Sequence, residues 1–233
     1  MINQKLKIFV DKRKLLIALV FVILSAFQAN VIAASVDVRS EYERWESGLG
    51  GTSSSLMIGL GGSHKINSKI SLGGSIITGK FSTDAHAVSD TSRTDLDMVL
   101  NYQLYPTIPV YVGYQQRRLS VVNKDDQSRS FDDIQHGIGL GITKYLPIKP
   151  RWLLFGGMTF NAIVAASDLK EGPTDRGKGF SSSIRVGTLY SISQIFSLGL
   201  SVKARSTNVD YGGDAGHWSH NSFAIAMSAS RAW

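Results

Sequence analysis

Large apolar residues alternate with small or polar residues along most of the chain after residue 34. The last stretch shows this most clearly, and its large residues share one parity: Phe223, Ile225, Met227 and Trp233. Ser or Ala occupies every position of the other parity between 222 and 232. Successive side chains of a β-strand point to opposite faces, so this period of two predicts a strand whose faces meet different surroundings. Arg231 is a charged exception on the apolar face.

The same reading divides the chain into ten predicted strands. They cover residues 35–46, 52–63, 69–81, 93–104, 110–122, 132–145, 151–165, 180–191, 196–206 and 219–233. Leu56, Ile58 and Leu60 illustrate an apolar face, and Gly59 and Gly61 lie on the opposite face of the same segment. Segments 69–81 and 151–165 alternate poorly, so the pattern does not assign their faces.

Short turns and longer polar segments separate these strands in regular succession. The turns are centred near positions 66, 107, 148 and 193, and the second and third contain four of the five prolines. Proline in a turn removes no hydrogen bond from the sheet. The longer polar segments are residues 47–51, 82–92, 123–130, 167–179 and 206–219.

This layout resembles that of bacterial outer-membrane β-barrels, which have short periplasmic turns and longer extracellular loops. The aromatic last residue, Trp233, is also similar to the end of their closing strand, which the barrel-assembly machinery is thought to read. The resemblance implies an all-β fold, a closed antiparallel transmembrane barrel of ten strands with both termini in the periplasm. Eight strands after an N-terminal extension are the alternative architecture.

Aromatic residues cluster near both predicted membrane surfaces, as girdles of such barrels do. Those near the turns or the chain end are Tyr102, Tyr105, Tyr111, Tyr145, Trp152, Tyr190, Phe196 and Trp233. Those near the loops are Tyr42, Trp45, Phe81, Phe131, Phe160, Phe180, Trp218 and Phe223.

Residues 1–34 read as a cleaved secretory signal peptide, which leaves residues 35–233 for the barrel. Lys and Arg at positions 5–14 precede an apolar run from Leu15 to Phe27, and small residues follow at Ala33 and Ala34. The run is shorter than the roughly 20 residues that a membrane-spanning helix needs. No later stretch is apolar enough to span as a helix, so insertion into a membrane must use strands.

Charge and cysteine content exclude several functions. Five of the 25 Lys and Arg residues and one of the 18 Asp and Glu residues lie in the signal, so the remainder carries a net charge of +3. The overall charge of +7 is therefore mostly a targeting charge, and we expect no nucleic-acid partner. The absence of cysteine excludes disulfides, thiolate metal sites and cysteine catalysis. We expect no cofactor and no metal site.

Charged residues concentrate on the predicted inward faces. They are Asp37, Arg39, Glu41, Glu43, Asp95, Asp97, Arg117, Arg185, Lys203 and Arg205. Symmetry about the turn at 107 sets Asp97 opposite Arg117, and long basic side chains are expected to reach across the last strand to Glu41 and Glu43. This set is interpreted either as a structural ion-pair network that fills a small barrel or as the lining of a narrow pore.

A few polar groups permit catalytic interpretations. His217 and Ser219 share a strand face, as in the His-x-Ser pair of small outer-membrane lipid A deacylases, but no acidic residue follows Ser219. Asp132 and Asp133 with His136 resemble the rim groups of ten-stranded outer-membrane proteases. The pair Asp84–His86 permits the same comparison. We interpret all of these as solvated loop residues, and likewise Asp125 and Asp126, which could bind divalent cations only loosely; we expect no enzymatic activity.

The sequence thus predicts an integral protein of the Gram-negative outer membrane. The leading functional prediction is a narrow passive channel or a structural barrel with a charged lumen, and small solutes are possible partners. The alternative is a surface adhesin that acts through its loops, and a remote alternative is a lipid A-modifying hydrolase. Outer-membrane lipids, lipopolysaccharide and the barrel-assembly machinery are the other expected partners.

Overall fold

A computed structural model describes residues 34–47, 51–83, 89–123, 130–169, 174–211 and 216–232. Its ten strands are β1 (Ala34–Ser47), β2 (Gly51–Lys65), β3 (Ile70–Thr83), β4 (Ser89–Tyr105), β5 (Ile108–Asn123), β6 (Phe131–Lys149), β7 (Trp152–Leu169), β8 (Thr174–Ser191), β9 (Phe196–Tyr211) and β10 (His217–Ala232). The ten-strand prediction is confirmed, and the eight-strand alternative is wrong. The predicted signal up to Ala33 and the final Trp233 lie outside the described residues. No helix in the described ranges is long and apolar enough to cross a membrane.

The strands form one closed antiparallel barrel. Each strand pairs with its neighbours along the chain, and β1 closes the barrel by pairing with β10, where Glu43 lies opposite Ala224. We call the end that holds the short turns, the start of β1 and the end of β10 the turn end, and the opposite end the loop end. Closure matters because every strand of the wall finds a partner on both sides, so no sheet edge is left unpaired.

Two of the turns at the turn end are held by a side-chain cap. The side-chain oxygen of Asn67 accepts hydrogen bonds from the backbone N–H groups of Lys69 and Ile70, both at 2.8 Å. Ser193 does the same for Ile195 and Phe196. Asn and Ser favour such local bonds, so these polar residues end one strand and begin the next.

The outer surface of the barrel is a belt of exposed apolar side chains. Ile138 and Leu140 on β6 are 67% and 68% exposed, and Leu198 on β9 and Ile225 on β10 also point outwards. Their neighbours in sequence, such as Ala224 and Ala226, are buried inside the wall. So much contiguous apolar surface is unfavourable in water and stable in hydrocarbon, so the belt matches the bilayer interior.

Apolar residues also point inwards near the loop end, in two clusters. One contains Met57, Ile77 and Phe81 with Trp45 packed against them. The other contains Ile163, Ala165, Val209 and Tyr211 with Trp218. The clusters explain why the sequence pattern does not assign the faces of segments 69–81 and 151–165, since β3 and β7 carry apolar residues on both faces there.

The aromatic girdles on the outer surface accordingly contain fewer residues than the sequence predicts. Trp45, Phe81 and Trp218 belong to the inward clusters rather than to the outer surface. Tyr111 and Tyr145 line an internal cavity near the turn end. The prediction used only how close each aromatic residue lies to the end of its strand. Whether the ring points outwards or inwards depends on the alternation of side chains along the strand. Tyr42, Phe160, Phe180 and Phe223 do face outwards.

Several strands extend further towards the loop end than predicted. β8 begins at Thr174 rather than at residue 180, and β9 continues to Tyr211 rather than to residue 206. The connection between β7 and β8 is accordingly residues 170–173 rather than 167–179. Polar residues on the outer face remove the apolar alternation on which the prediction depends.

Candidate functional site in the barrel lumen

The ten charged residues predicted to line the lumen all occupy inward positions on β1, β4, β5, β8 and β9. Glu41, Glu43, Asp95 and Arg117 are buried, whereas Asp37, Arg39, Asp97, Arg185, Lys203 and Arg205 contact a cavity. The wall leaves room for them because many of its other inward residues are Gly, Ser or Ala. The charges therefore form one internal group, whose pairing depends on the register of the strands.

Arg93 is the centre of the buried part of this group. Its Nη1 and Nη2 donate to the two carboxylate oxygens of Glu43 at 2.9 and 2.8 Å, and its Nε and Nη2 donate to Asp95 at 2.9 and 2.7 Å. The side chains of Glu43 and Arg93 are only 1% and 3% exposed. Two carboxylates satisfy the donors of one guanidinium, and Arg117 beside Asp95 supplies the second positive charge that the two buried carboxylates need.

Sequence reasoning did not include Arg93 among the lumen residues. It lies at the predicted start of its strand, beside a polar segment, where a charged residue reads as part of a loop. The signal that could have found it is parity, because Arg93 shares its face with Asp95 and Asp97. Sequence reasoning also left out His220, which is 2% exposed inside the barrel.

Arg117 pairs with Asp95 and His220 rather than with Asp97. The predicted Asp97–Arg117 pairing is wrong, because β4 and β5 set Arg117 opposite Asp95 and place Gln115 opposite Asp97. Tyr105 pairs with Ile108, so the turn is centred between Pro106 and Thr107 rather than on Thr107, and a register shift between Gln103 and Tyr105 moves the pairing one residue further. The Nε of Arg117 lies 3.4 Å from Asp95, and its Nη1 donates to Nε2 of His220 at 2.8 Å.

Lys203 reaches across β10 to the first strand. Its Nζ donates to Glu41 at 3.1 Å. Ala224 and Ala226 lie on the intervening strand and are almost fully buried, so they leave the path free for the long side chain. Glu43 is held by Arg93 instead, and Arg185 forms an ion pair with neither Glu41 nor Glu43.

A cavity of about 580 Å³ lies between this network and the turn end. Gln103 and Ser71 line both this cavity and a second recess formed by the turn residues Asn67 and Lys69, so the space opens at the turn end. On the other side of the network a gap of about 10 Å³ lies between Arg117 and Thr207. Such a gap has room for about one water molecule. Above it lie the two apolar clusters, together with buried polar residues such as Asp133 and Gln135.

The enzyme-like residues do not converge in the structure. Asp133 points inwards and accepts hydrogen bonds from Tyr211 at 2.6 Å and from Gln135 at 2.8 Å. His136 has the opposite parity and contacts Tyr114 on the outer face at 2.7 Å. Asp132 pairs with Arg118 at 2.8 Å at an exposed position.

His217 and Ser219 lie on the outward parity of β10, since Ala224 and His220 on the same strand are inward. The other candidates, Asp84, His86, Asp125 and Asp126, lie outside the described residues. Among the described side chains, no three His, Asp or Glu residues are grouped as a metal site requires.

Known proteins resemble this chain in fold and not in sequence. No protein family and no curated protein matches the sequence. The outer membrane protease OmpT from Escherichia coli superposes with a TM-score of 0.56 at 11% identity, covering 88% of this chain and 98% of that chain. An outer membrane channel from Pseudomonas putida F1 superposes with a TM-score of 0.50 at 12% identity, covering 88% and 97%.

These likenesses concern the backbone fold alone, because the identities are low and the two named proteins differ in activity. Together with the closed sheet and its outward apolar belt, they define an integral β-barrel protein of the Gram-negative outer membrane. The predicted class and location are confirmed. The start of β1 and the end of β10 lie at the turn end, and we assign this end to the periplasm and the loop end to the exterior because outer-membrane barrels have short periplasmic turns.

Proposed function

We propose that this protein is a closed structural barrel of the outer membrane, neither an open channel nor an enzyme. The observation that carries the proposal is the burial of the Glu43–Arg93–Asp95 group in the lumen, with side chains exposed by only 1%, 3% and 4%. An ion pathway needs water or a vacant charged site at every level of the pore. Here Arg93 pairs with both carboxylates, Arg117 supplies a further cation beside Asp95, and the paired groups leave little volume beside them.

The apolar clusters supply a second barrier in series with the charged one. Met57 and Val209 are fully buried, and Phe81 and Tyr211 nearly so, at the level above the network. Apolar constrictions exclude water from pores by dewetting. An ion from outside would therefore have to pass these packed apolar side chains, and Asp133 held by Tyr211 and Gln135 among them, before it reached the paired charges.

Planar-bilayer conductance tests the proposal. We expect no discrete openings from the purified wild-type protein at either polarity. Glu43→Gln and Lys203→Gln are tested in parallel, with Arg118→Gln as the control because Arg118 pairs with Asp132 on the exposed face. Discrete wild-type openings whose ion preference changes in Glu43→Gln or Lys203→Gln would establish the passive channel instead.

Interaction at the cell surface is the second candidate function, and the length of the strands favours it. β6, β7 and β8 contain 19, 18 and 18 residues, whereas a tilted strand crosses a bilayer in about 9–11 residues. Since the termini are periplasmic, the excess length places the β7–β8 hairpin above the lipid. Cells that express a variant trimmed within residues 167–179 should adhere less to host surfaces, and unchanged adherence would contradict this candidate.

Contacts with particular envelope components belong to the same proposal. The outward face of β10, with Phe223, Ile225 and Met227, is the segment that we expect the barrel-assembly machinery to read, together with Trp233. Lipopolysaccharide is the expected lipid around the outer half of the belt. Incubation with lipopolysaccharide followed by mass spectrometry tests the remote lipid A hydrolase, which would release free fatty acid.

A further inference from the structure

Arg185 is the lumen cation that the buried network leaves without an anion. Within the described residues, Arg93, Arg117, Lys203, Arg205 and Arg39 each lie within 4 Å of a carboxylate oxygen, and Arg185 does not. Its Nε and Nη2 both donate to the hydroxyl oxygen of Ser201, at 3.1 and 2.9 Å. A neutral hydroxyl fixes the guanidinium in place without neutralising its charge.

The guanidinium of Arg185 is also held by an aromatic side chain. Its Cζ lies 5.6 Å from the centre of the Phe155 ring, a distance at which the ring face attracts a cation. The bonds to Ser201 use Nε and Nη2, so Nη1 is the nitrogen left to meet a ligand in the cavity. A cation held from two sides in this way is preorganised for an incoming anion.

The cavity next to Arg185 combines this charge with an aromatic wall. Phe155 and Tyr145 pack with their ring centres 6.1 Å apart, and Tyr111 lines the same space and is hydrogen-bonded to Thr159. Gly139 and Gly157 also line this part of the cavity and have no side chains that would reduce its volume. At about 580 Å³, the cavity has the size of small-molecule sites, which are typically about 300–1,000 Å³.

We propose that this periplasm-facing cavity binds a small aromatic or otherwise planar carboxylate. Arg185 binds the carboxylate through charge-assisted hydrogen bonds, and Tyr111, Tyr145 and Phe155 pack against the planar body of the ligand. Arg39 also lines the cavity, where Asp37 at 3.5 Å offsets its charge, so Arg185 is the cation available to the ligand. The inference is independent of conductance, because the cavity lies on the periplasmic side of the closed network.

Titration of the full barrel in detergent with benzoate tests the proposal, with heat measured by calorimetry. We expect saturable binding of benzoate to the wild-type protein and clearly weaker binding of benzamide, a neutral molecule of nearly the same shape. Arg185→Gln should weaken benzoate binding about tenfold or more, as loss of a hydrogen-bonded charge implies. Arg118→Gln is the matched control and should bind benzoate as the wild type does, because Arg118 is exposed on the outer face.

Three results would overturn the proposal: no benzoate binding to the wild-type barrel, equal binding of benzoate and benzamide, or full benzoate affinity in Arg185→Gln. The shift in gel mobility on heating, which reports a folded barrel, shows that each variant is folded before titration. Acetate separates the two parts of the site, since it carries the charge without the ring. Weaker binding of acetate than of benzoate supports the aromatic wall, and equal binding would contradict it.

Discussion

Arg93 is the residue on which the interior of the barrel depends most directly. Two carboxylates from different strands, Glu43 and Asp95, surround its guanidinium, and all three side chains are almost fully buried. Breaking a buried ion pair by removing one partner leaves the other charge desolvated and unpaired, which costs about 3–5 kcal/mol. The same pairs at an exposed site would contribute far less.

Replacement of Arg93 by Gln should therefore lower the free energy of unfolding by about 3–5 kcal/mol. Urea titration of the barrel in lipid vesicles, followed by tryptophan fluorescence, measures the change. Arg118→Gln removes an exposed partner of Asp132 and should change the free energy by about 0–1 kcal/mol. Equal effects of the two substitutions would show that the Arg93 network is not what stabilises the lumen.

Gly141 shows how a missing side chain shapes the cavity. A Cβ atom added there would overlap the ring of Tyr111, so the glycine on β6 allows that ring to lie across the wall. Gly141→Ala must displace Tyr111 and should destabilise the barrel by about 1–3 kcal/mol, as overpacking does. Gly156→Ala is the control, since its Cβ would meet Val186 at an ordinary 3.7 Å. The same urea titration distinguishes them, and equal loss in both would refute the packing argument.

At the scale of an element, β10 combines the two environments that define the protein. Its inward Ala224 and Ala226 leave space for Lys203 to reach Glu41, and its outward Phe223, Ile225 and Met227 face the lipid. The alternation of small and large residues along β10 is thus required both by the lumen and by the lipid. Larger inward residues would block the ion pair, and polar outward residues would meet hydrocarbon.

A charge in the middle of the outward face of β10 should be strongly unfavourable. Ile225→Arg is expected to destabilise the inserted barrel by about 2–4 kcal/mol, the cost of a lipid-facing arginine near the bilayer midplane. Ile66→Arg makes the same substitution in an exposed turn at the turn end and should cost about 0–1 kcal/mol. Folding yield and urea midpoint in vesicles measure both. A tolerated Ile225→Arg would mean that this face does not contact lipid.

At the scale of the whole molecule, the lumen is layered along the barrel axis. An apolar layer lies at the loop end, the paired charges follow, and the open cavity lies at the turn end. This order makes the two ends of the lumen structurally different. The exterior meets a filled wall, whereas the periplasm has access to a polar and aromatic cavity.

The orientation of the whole barrel can be tested with single cysteines, since the chain has none of its own. Thr174→Cys at the loop end should react with a large polyethylene-glycol maleimide on intact cells. Lys69→Cys in a turn should react only after the outer membrane has been permeabilised. Both positions are exposed, so accessibility to the reagent depends on the side of the membrane. The reverse labelling pattern would invert the assignment of the two ends.

The sequence alone determined the fold class, the number of strands and the outward face of most of them. These features follow from a local rule, because a period of two along residues such as Phe223 and Ile225 reports the difference between lipid and lumen directly. The rule failed on β3 and β7, where Ile77 and Ile163 are apolar and inward. There, both faces meet apolar surroundings and the contrast disappears.

Only the tertiary structure decided which charges pair and which part of the described lumen is filled. Arg93 and Glu43 are 50 residues apart in sequence, and Arg117 and His220 are 103 residues apart. Their contacts depend on the register of the strands between them. The position of the turn together with one register shift between Gln103 and Tyr105 sets Arg117 opposite Asp95 rather than Asp97. The face on which a residue lies follows from the local alternation of the sequence. Its partner across the lumen depends on the register of every strand pair between the two residues, and therefore on the whole barrel.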